Sequence, residues 1–472
     1  MIDLPGIRQA DGLDTEAAAA LDEVLDVADR VQGRNAELSR YYDGSYDVPE
    51  IGVKPAIEGL RLDETCDWPR KAVTAVSERA RFDRFVFGSE SGDDGTLDAI
   101  VRRSGVATAY GRYVASELTH GCIFATVGRS ETDGLAYVRF HSAETAWAVW
   151  DDAAGRVGAG VCVADRRRTE WSPSDRVATL VNLHLPDRVV TLTRTAPARW
   201  AAASSPHPMG RPMMEAFAFR ATGTRPFGES RITRAVRTIA CDVVRTLRDM
   251  AVAGAFYAAP QKYIMGVTDQ QFDALKADKW SAYIGSMLIT TANEQGGTPT
   301  IGQLSGATPQ PYVELLQTYA KLFAAATGVP LNSLGVVQDN PSSAEAIAAQ
   351  REDVVIAAQD LIDGDAESLR TVALMALAVE RGVSPMDLTA EERSVMAHFR
   401  SPANPSIVSQ ADAMTKLMGP MPWLAESDVA LEEVGFSDEQ VKRLRSDRTK
   451  AQSRAIVAQA TQAAGLTLGA TA

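Results

Sequence analysis

The stretch FGESRITRAVRTIACDVVRTLRDMAVAGA, residues 227–255, reads as a long amphipathic helix over 229–255. Ile232, Val236, Ile239, Val243 and Leu247 recur at the three- and four-residue steps that stack side chains on one helical face. Arg231, Arg234, Arg237, Arg245 and Arg248 fall on roughly the opposite side. Beyond this helix lies a small α/β insert over 256–308. Its pattern predicts a strand at Tyr263–Val267, a helix at Gln270–Tyr283, a strand at Met287–Thr291 and a last strand at Thr300–Leu304. A second helix over 311–327 is closed by Gly328, with Pro330 two residues beyond, the usual stop signal. Tyr312, Leu316, Tyr319 and Phe323 share one side of it. A connector at 329–341 leads to a very long helix from Ser343 to about Arg381. Ser342 and Glu345 form a capping-box pattern at its start, and Gly364 is a candidate kink.

Upstream, residues 1–40 read as an arm and a helix, with Leu21, Val24, Leu25, Ala28 and Val31 at helical spacing. A further helix is predicted over Thr96–Leu118. From residue 121 to 220 the period changes. Short β-rich runs at Cys122–Val127, Leu135–Phe140, Thr145–Trp150, Val157–Val163, Val177–Leu185 and Val189–Thr193 alternate with turns such as Asp133-Gly134 and Pro186-Asp187, a pattern of antiparallel hairpins. Residues 385–472 look helical again, broken by Pro402, Pro405, Pro420 and Pro422, with an Ala, Gln and Thr tail past Gln452 that is expected to fray. The fold class is therefore α+β, and 472 residues call for two to four structural units.

The formal net charge is −13, which argues against a protein that grips nucleic acid by neutralising phosphates. It is compatible with a surface past which DNA slides. Within this acidic chain, Gly160–Met250 is basic, with 15 Arg against 8 acids. Cys66, Cys122, Cys162 and Cys241 are far apart and form no CxxC pair, which speaks against zinc or redox motifs and fits a reducing compartment. Met1–Ala20 lacks a signal-peptide pattern, and no window is long and apolar enough to span a membrane.

Chemistry is sparse. His120, His141, His184, His207 and His398 show no metal-ligand spacing, and there is no HExxH, GxxxxGK[ST] or GxSxG string. Gly158-Ala-Gly160 sits in a predicted hairpin, and the acid pairs Asp93-Asp94 and Asp151-Asp152 read as turn residues. A lone strand histidine such as His184 reads as a satisfied core group. No catalytic residue, metal or cofactor is expected.

Three ordered strings carry a resemblance. His207-Pro-Met-Gly-Arg-Pro-Met-Met214 with Phe227-Gly-Glu-Ser-Arg-Ile232 leads into the first long helix. Thr327-Gly-Val-Pro-Leu331 with Asn340-Pro-Ser-Ser-Ala-Glu-Ala-Ile347 flanks the connector. His398-Phe-Arg-Ser-Pro402 with Gln410-Ala-Asp-Ala-Met-Thr-Lys-Leu417 lies beyond. Together, over roughly residues 200–420, the chain resembles bacteriophage portal proteins of the SPP1 gp6-like type. It departs from them at Pro212-Met-Met-Glu215, where that family usually carries Val-Pro-Val-Val, and in a short, barely charged connector.

The resemblance implies a homo-oligomeric ring, usually of twelve subunits, at one capsid vertex of the virion, assembled in the host cytoplasm. It maps an N-terminal arm and helix to 1–40, a hairpin-rich α/β wing to 41–228, stem helices to 229–255 and 309–328, and a clip to 256–308. The tunnel loop falls at 329–341, a long wing helix at 342–384 and a crown with its tail at 385–472. Val336, Val337, Gln338, Asp339 and Asn340 would face DNA in the tunnel, although an ordinary helix connector has the same length. Arg231, Arg234, Arg237, Arg245 and Arg248 would meet DNA or a neighbouring subunit, against the plain alternative of a solvated face with scattered ion pairs. Lys262, Lys276 and Lys279, near Trp280, would face a partner from the clip, or form an ordinary solvated face. Implied partners are double-stranded DNA without sequence preference, the terminase large subunit, a head-tail adaptor and the major capsid or scaffold protein, with no membrane. The rival readings are another minor head or adaptor protein of a phage, and a metal-dependent hydrolase built on scattered carboxylates.

Overall fold

The computed structural model describes residues 2–49, 64–88, 95–130, 132–258, 262–268, 288–291, 300–303, 308–336, 350–403, 407–427, 430–431, 435–436 and 438–468. These form two compact units, Met1–Pro402 and Ala403–Ala472.

The first unit opens with α1 (Thr15–Asp43). Its N-terminus is capped by the Asp14 carboxylate, which accepts from the Ala17 N–H at 2.9 Å, and its end is set by Gly44 in the left-handed region. Next come α2 (Trp68–Ser77) and β1 (Phe82–Val86). The single helix expected over Thr96–Leu118 is two, α3 (Thr96–Ser104) and α4 (Val106–His120). Gly105, at φ 61°, ends one and caps the other, a backbone state that glycine adopts without a Cβ clash.

Eight strands come next: β2 (Cys122–Arg129), β3 (Ala136–Ser142), β4 (Ala146–Asp151), β5 (Arg156–Thr169), β6 (Ser172–His184), β7 (Arg188–Ala196), β8 (Arg199–Pro206) and β9 (Met214–Ala218). All six predicted β runs overlap these strands, and their antiparallel pairing is as expected. Gly158 and Gly160 sit within β5, and Asp151 is a turn residue whose Oδ1 accepts from the N–H groups of Ala153 and Ala154. The sequence pattern did not show β8 and β9. Strands β4 to β8 make a five-stranded meander, and β3-β2-β9 a three-stranded sheet.

Helix α1 lays Ala17, Leu21, Val24, Leu25 and Ala28 against Trp147, Val161, Leu183, Leu192 and Trp200 of the larger sheet. The three-stranded sheet is covered by α4 and by a long C-terminal helix of this unit, in a second core containing Tyr110, Leu118, Ile123, Phe217, Leu369 and Ala376.

The chain then enters α5 (Arg234–Ala258). A small sheet succeeds it, with β10 (Lys262–Val267) between β11 (Leu288–Thr291), which runs parallel to it, and β12 (Thr300–Gln303), which runs antiparallel. These are the three strands predicted for the insert. The helix predicted at Gln270–Tyr283 lies outside the described residues. Helix α6 (Gln310–Thr327) ends at Gly328, at φ 72°, as the stop signal indicates. Helix α7 (Glu352–Arg381) continues through Gly364, while the capping box at Ser342–Glu345 lies outside the described residues. Strand β13 (Met396–Phe399), in a region expected to be helical, pairs with β1.

The second unit holds α8 (Ile407–Met418) and α9 (Asp438–Leu468). The helix runs past Gln452 rather than ending there, because Ala and Gln are strong helix formers. No described helix is long and apolar enough to cross a membrane.

Candidate functional site

The expected site is the α5–α6 pair. Ala240, Val243 and Val244 of α5 are buried beside Ile239 and Leu247, with Leu316 and Tyr319 of α6 packed against them. Phe323 is fully buried and meets Trp68 of α2 at 5.3 Å between rings. The apolar faces predicted for both helices therefore meet each other inside one chain. Tyr312 is half-buried on the same side.

The arginines do not form a single stripe. Helix α5 begins at Arg234, five residues later than expected, because residues 229–231 are tied to other elements. The Glu229 N–H donates to Phe219 O (2.9 Å) and the Arg231 N–H to Leu118 O (2.8 Å). Ser230 Oγ donates to Thr119 O (2.5 Å). Arg231 is thus off the helix and buried. Its Nε donates to Ala72 O (2.7 Å) and its terminal nitrogen to Thr327 O (2.6 Å), joining α2 to the end of α6. Burial, with Arg220 nearby, depresses its pKa to about 10, yet it remains charged at neutral pH. An internal clamp of this kind cannot reach DNA or a neighbour, and the expectation for Arg231 is corrected.

Arg237 pairs with Glu37 of α1 at 2.8 Å and lies over the Tyr41 ring. Arg245 pairs with Asp242 at 2.6 Å and donates to Pro49 O. A shallow cavity of about 320 Å³ between α1 and α5 includes Arg234, Arg237 and Arg245 in its lining. Arg234 is exposed and Arg248 half-buried. Two of the five arginines are therefore engaged with α1, its following segment or their own helix, one is the buried clamp, and Arg234 is the most open.

Of the connector candidates, Val336 comes just after a short 3-10 turn (Leu331–Leu334) and donates its N–H to Leu331 O at 3.3 Å. Val337, Gln338, Asp339 and Asn340 lie outside the described residues. Lys262 opens β10 opposite Gln303, while Lys276 and Lys279 lie outside the described residues.

One feature of α6 was not picked out from the sequence. Flanking the side that meets α5, Leu315 and Leu322 are 40% and 53% exposed, with the small Ala326 completing the stripe. The signal was available, since leucines seven residues apart beside an already apolar face widen that face beyond what one neighbouring helix covers.

Among the described residues no cluster of three His, Cys, Asp or Glu is placed to hold a metal ion, and all four cysteines are free and buried. What the fold presents is a helix pair with one apolar face satisfied and a flanking apolar stripe open.

No family model matches the chain. It is similar to the portal protein of Mycobacterium phage L5, 23% identical over 455 residues that cover 94% of this chain and 90% of the relative. The portal protein of Mycobacterium phage D29 is 22% identical over 454 residues, with the same coverage. Among solved structures, a chain in the neck of a native gene transfer agent particle, computed with C12 symmetry, aligns with 87% of this chain and 92% of its own length at 14% identity and a TM-score of 0.39. A chain of the native gene transfer agent virion aligns with 82% and 89% at 13% identity and a TM-score of 0.42.

Proposed function

We propose that this chain is a portal subunit, in the manner of the SPP1 gp6-like type. Copies close into a ring at one capsid vertex, through which double-stranded DNA passes during packaging and ejection. The observation that carries the reading is the similarity to two portal proteins along 94% of the chain. In this reading α5 and α6 are the stem, and the insert 256–308, with Lys262, Lys276 and Lys279, faces the terminase large subunit and later the head-tail adaptor. The connector 329–341, with Val336 to Asn340, lines the channel. The open stripe of Leu315, Leu322 and Ala326 meets the neighbouring copy, with Arg234 and Arg248 beside that junction. Major capsid or scaffold protein surrounds the ring in the virion, after assembly in the host cytoplasm.

A closed heterologous ring buries one such surface on every copy, so a charge placed there acts at each junction. The test is native mass spectrometry with negative-stain class averages on the full chain, alone and with major capsid protein. Wild type is expected as a ring of about a dozen copies with a central hole. Leu322→Glu is expected to stay monomeric with its secondary structure unchanged. Wild-type chains that remain monomeric even with capsid protein refute the proposal.

A further inference from the structure

His184 reads in sequence as a satisfied core histidine, and the structure satisfies only one of its nitrogens. It is 3% exposed, its Nε2 lies 3.5 Å from Cys162 Sγ, and its Nδ1 is buried without a hydrogen-bond partner. Asn182 Oδ1 and His207 Nε2 are likewise unpaired. All three residues belong to the lining of one cleft of about 1060 Å³, which opens where the three-stranded and five-stranded sheets meet. Three orphaned polar groups on one cavity are unusual in a folded chain, because each costs free energy unless something from outside the chain completes it.

The charge of the lining selects the occupant. Arg103, Arg129 and Arg139 face the cleft with the two histidines, and Asp133 is the one acid among its lining residues, in a chain of net charge −13. Arg103 and Arg129 are committed to the end of α7, through Glu380 and the Val379 carbonyl respectively. Arg139 instead lies over the Tyr137 ring, 5.0 Å from its centre. That ring covers Gly128 so closely that a methyl group there would stand 2.6 Å from it. Stacking thus holds the guanidinium without neutralising it.

The protons are assigned by the partners. Burial pushes the Cys162 thiol up to about 12, which keeps the sulfur protonated, and the tautomer in which this S–H donates to Nε2 of His184 is the one that carries an N–H at Nδ1. The Met209 N–H donates to Nδ1 of His207 at 3.4 Å, leaving an N–H at Nε2. The cleft therefore offers two imidazole N–H donors, a guanidinium and one amide acceptor.

We propose that this cleft binds an oxyanion of the phosphate class. Phosphate oxygens take the donors of His184, His207 and Arg139, and the anion's own hydroxyl donates to Asn182 Oδ1. Sulfate has no such hydroxyl at neutral pH, and chloride has none at all. Other groups near the site are His141, bonded to Thr126 Oγ1 at 3.0 Å, and Asp187, whose charge acts on His207. The cavity is larger than a bare phosphate and has room for the sugar of a nucleotide. Free phosphate and the singly protonated terminal 5′-phosphate of a DNA strand both carry this chemistry, whereas an internal phosphodiester has no hydroxyl to donate, and the site stands whether or not the chain forms a ring.

The experiment is calorimetric titration of the full chain near neutral pH with inorganic phosphate, and with sulfate at matched ionic strength. Saturable phosphate binding is expected, with sulfate weaker. Arg139→Gln and His207→Ala, both at accessible positions and checked for folding by circular dichroism, are each expected to weaken phosphate at least about tenfold. Competition by a short 5′-phosphorylated oligonucleotide assigns the phosphate to a DNA strand, and absence of competition to the free ion. No saturable heat, variants that bind like wild type, or sulfate bound as tightly as phosphate overturns the proposal.

Discussion

Asp365→Asn should make the protein more stable at neutral pH and leave it nearly unchanged in acid. Asp365 of α7 is fully buried and accepts the Tyr110 hydroxyl of α4 at 2.5 Å. The carboxyl of Glu117, two turns further along α4, lies against it, fully buried, and neither of its oxygens finds a well-aligned donor. Burial first, then the Asp365 charge, keeps Glu117 protonated. Burial pushes Asp365 up to about 7 from an ordinary 3.8, against the bonds from Tyr110 and Glu117 that favour its charged form. A carboxyl raised in the folded state contributes its full stability below the unfolded pKa. It loses that stability as pH rises from about 4 toward about 7, after which the loss is constant. A rise of about three pKa units, at about 1.4 kcal/mol each, sets a ceiling of about 4 kcal/mol on the loss. Asparagine still accepts the tyrosine hydroxyl and has nothing to ionise. Urea unfolding followed by tryptophan fluorescence should therefore show D365N about 2–4 kcal/mol above wild type near pH 8 and within about 1 kcal/mol of it near pH 4. Parallel pH profiles for the two proteins would falsify the account of this cluster.

Other expectations concern single elements. Arg231→Ala strands two carbonyls, Ala72 O and Thr327 O, and should cost about 3 kcal/mol in the same assay, with Arg231→Lys recovering less than half because one ammonium cannot span both. Gly228→Ala should cost at least about 2 kcal/mol: its φ is 65°, and a methyl would stand 2.7 Å from Gly121 O and nearer still to Phe219 O. Burial lowers His141 to about 4 and His184 to about 3, so their contribution is present above the unfolded value near 6.5 and is lost as pH falls toward those values. Replacing His141 by Gln should flatten the acid limb of the stability profile, measured by the same urea midpoints.

Local signals carried the elements that depend on neighbours in sequence. Gly328 ended α6, and alternating apolar residues placed six of the eight strands between residues 122 and 218. What was illegible depends on partners far away. β8 is Arg-Trp-Ala-Ala-Ala-Ser-Ser-Pro, poor in β-branched residues, and exists because Trp200 is buried and β7 supplies a ladder. β13 pairs with β1 across more than 300 residues, Phe82 with Phe399, so the run before Pro402 looked helical only while its partner was unknown. Glu117 and Asp365 carry no mark of burial, since an acid in an amphipathic pattern reads as solvated.

The arginines show why helical phase alone misleads about function. Extended backward at a helical step, Arg231 joins Arg234, Arg237, Arg245 and Arg248 on one arc, and the arc looks like a prepared basic band. Phase holds only while the backbone stays helical, and three bonds at residues 229–231 fix the segment to Phe219, Leu118 and Thr119 before α5 begins. The first arginine then turns inward to hold two carbonyls, while Arg237 and Arg245 are drawn toward α1 and the segment after it. A basic count along the chain thus goes largely to internal order. The surfaces left open by the same packing are an apolar stripe on α6 and a cationic cleft between two sheets, and neither stood out as charge in the sequence.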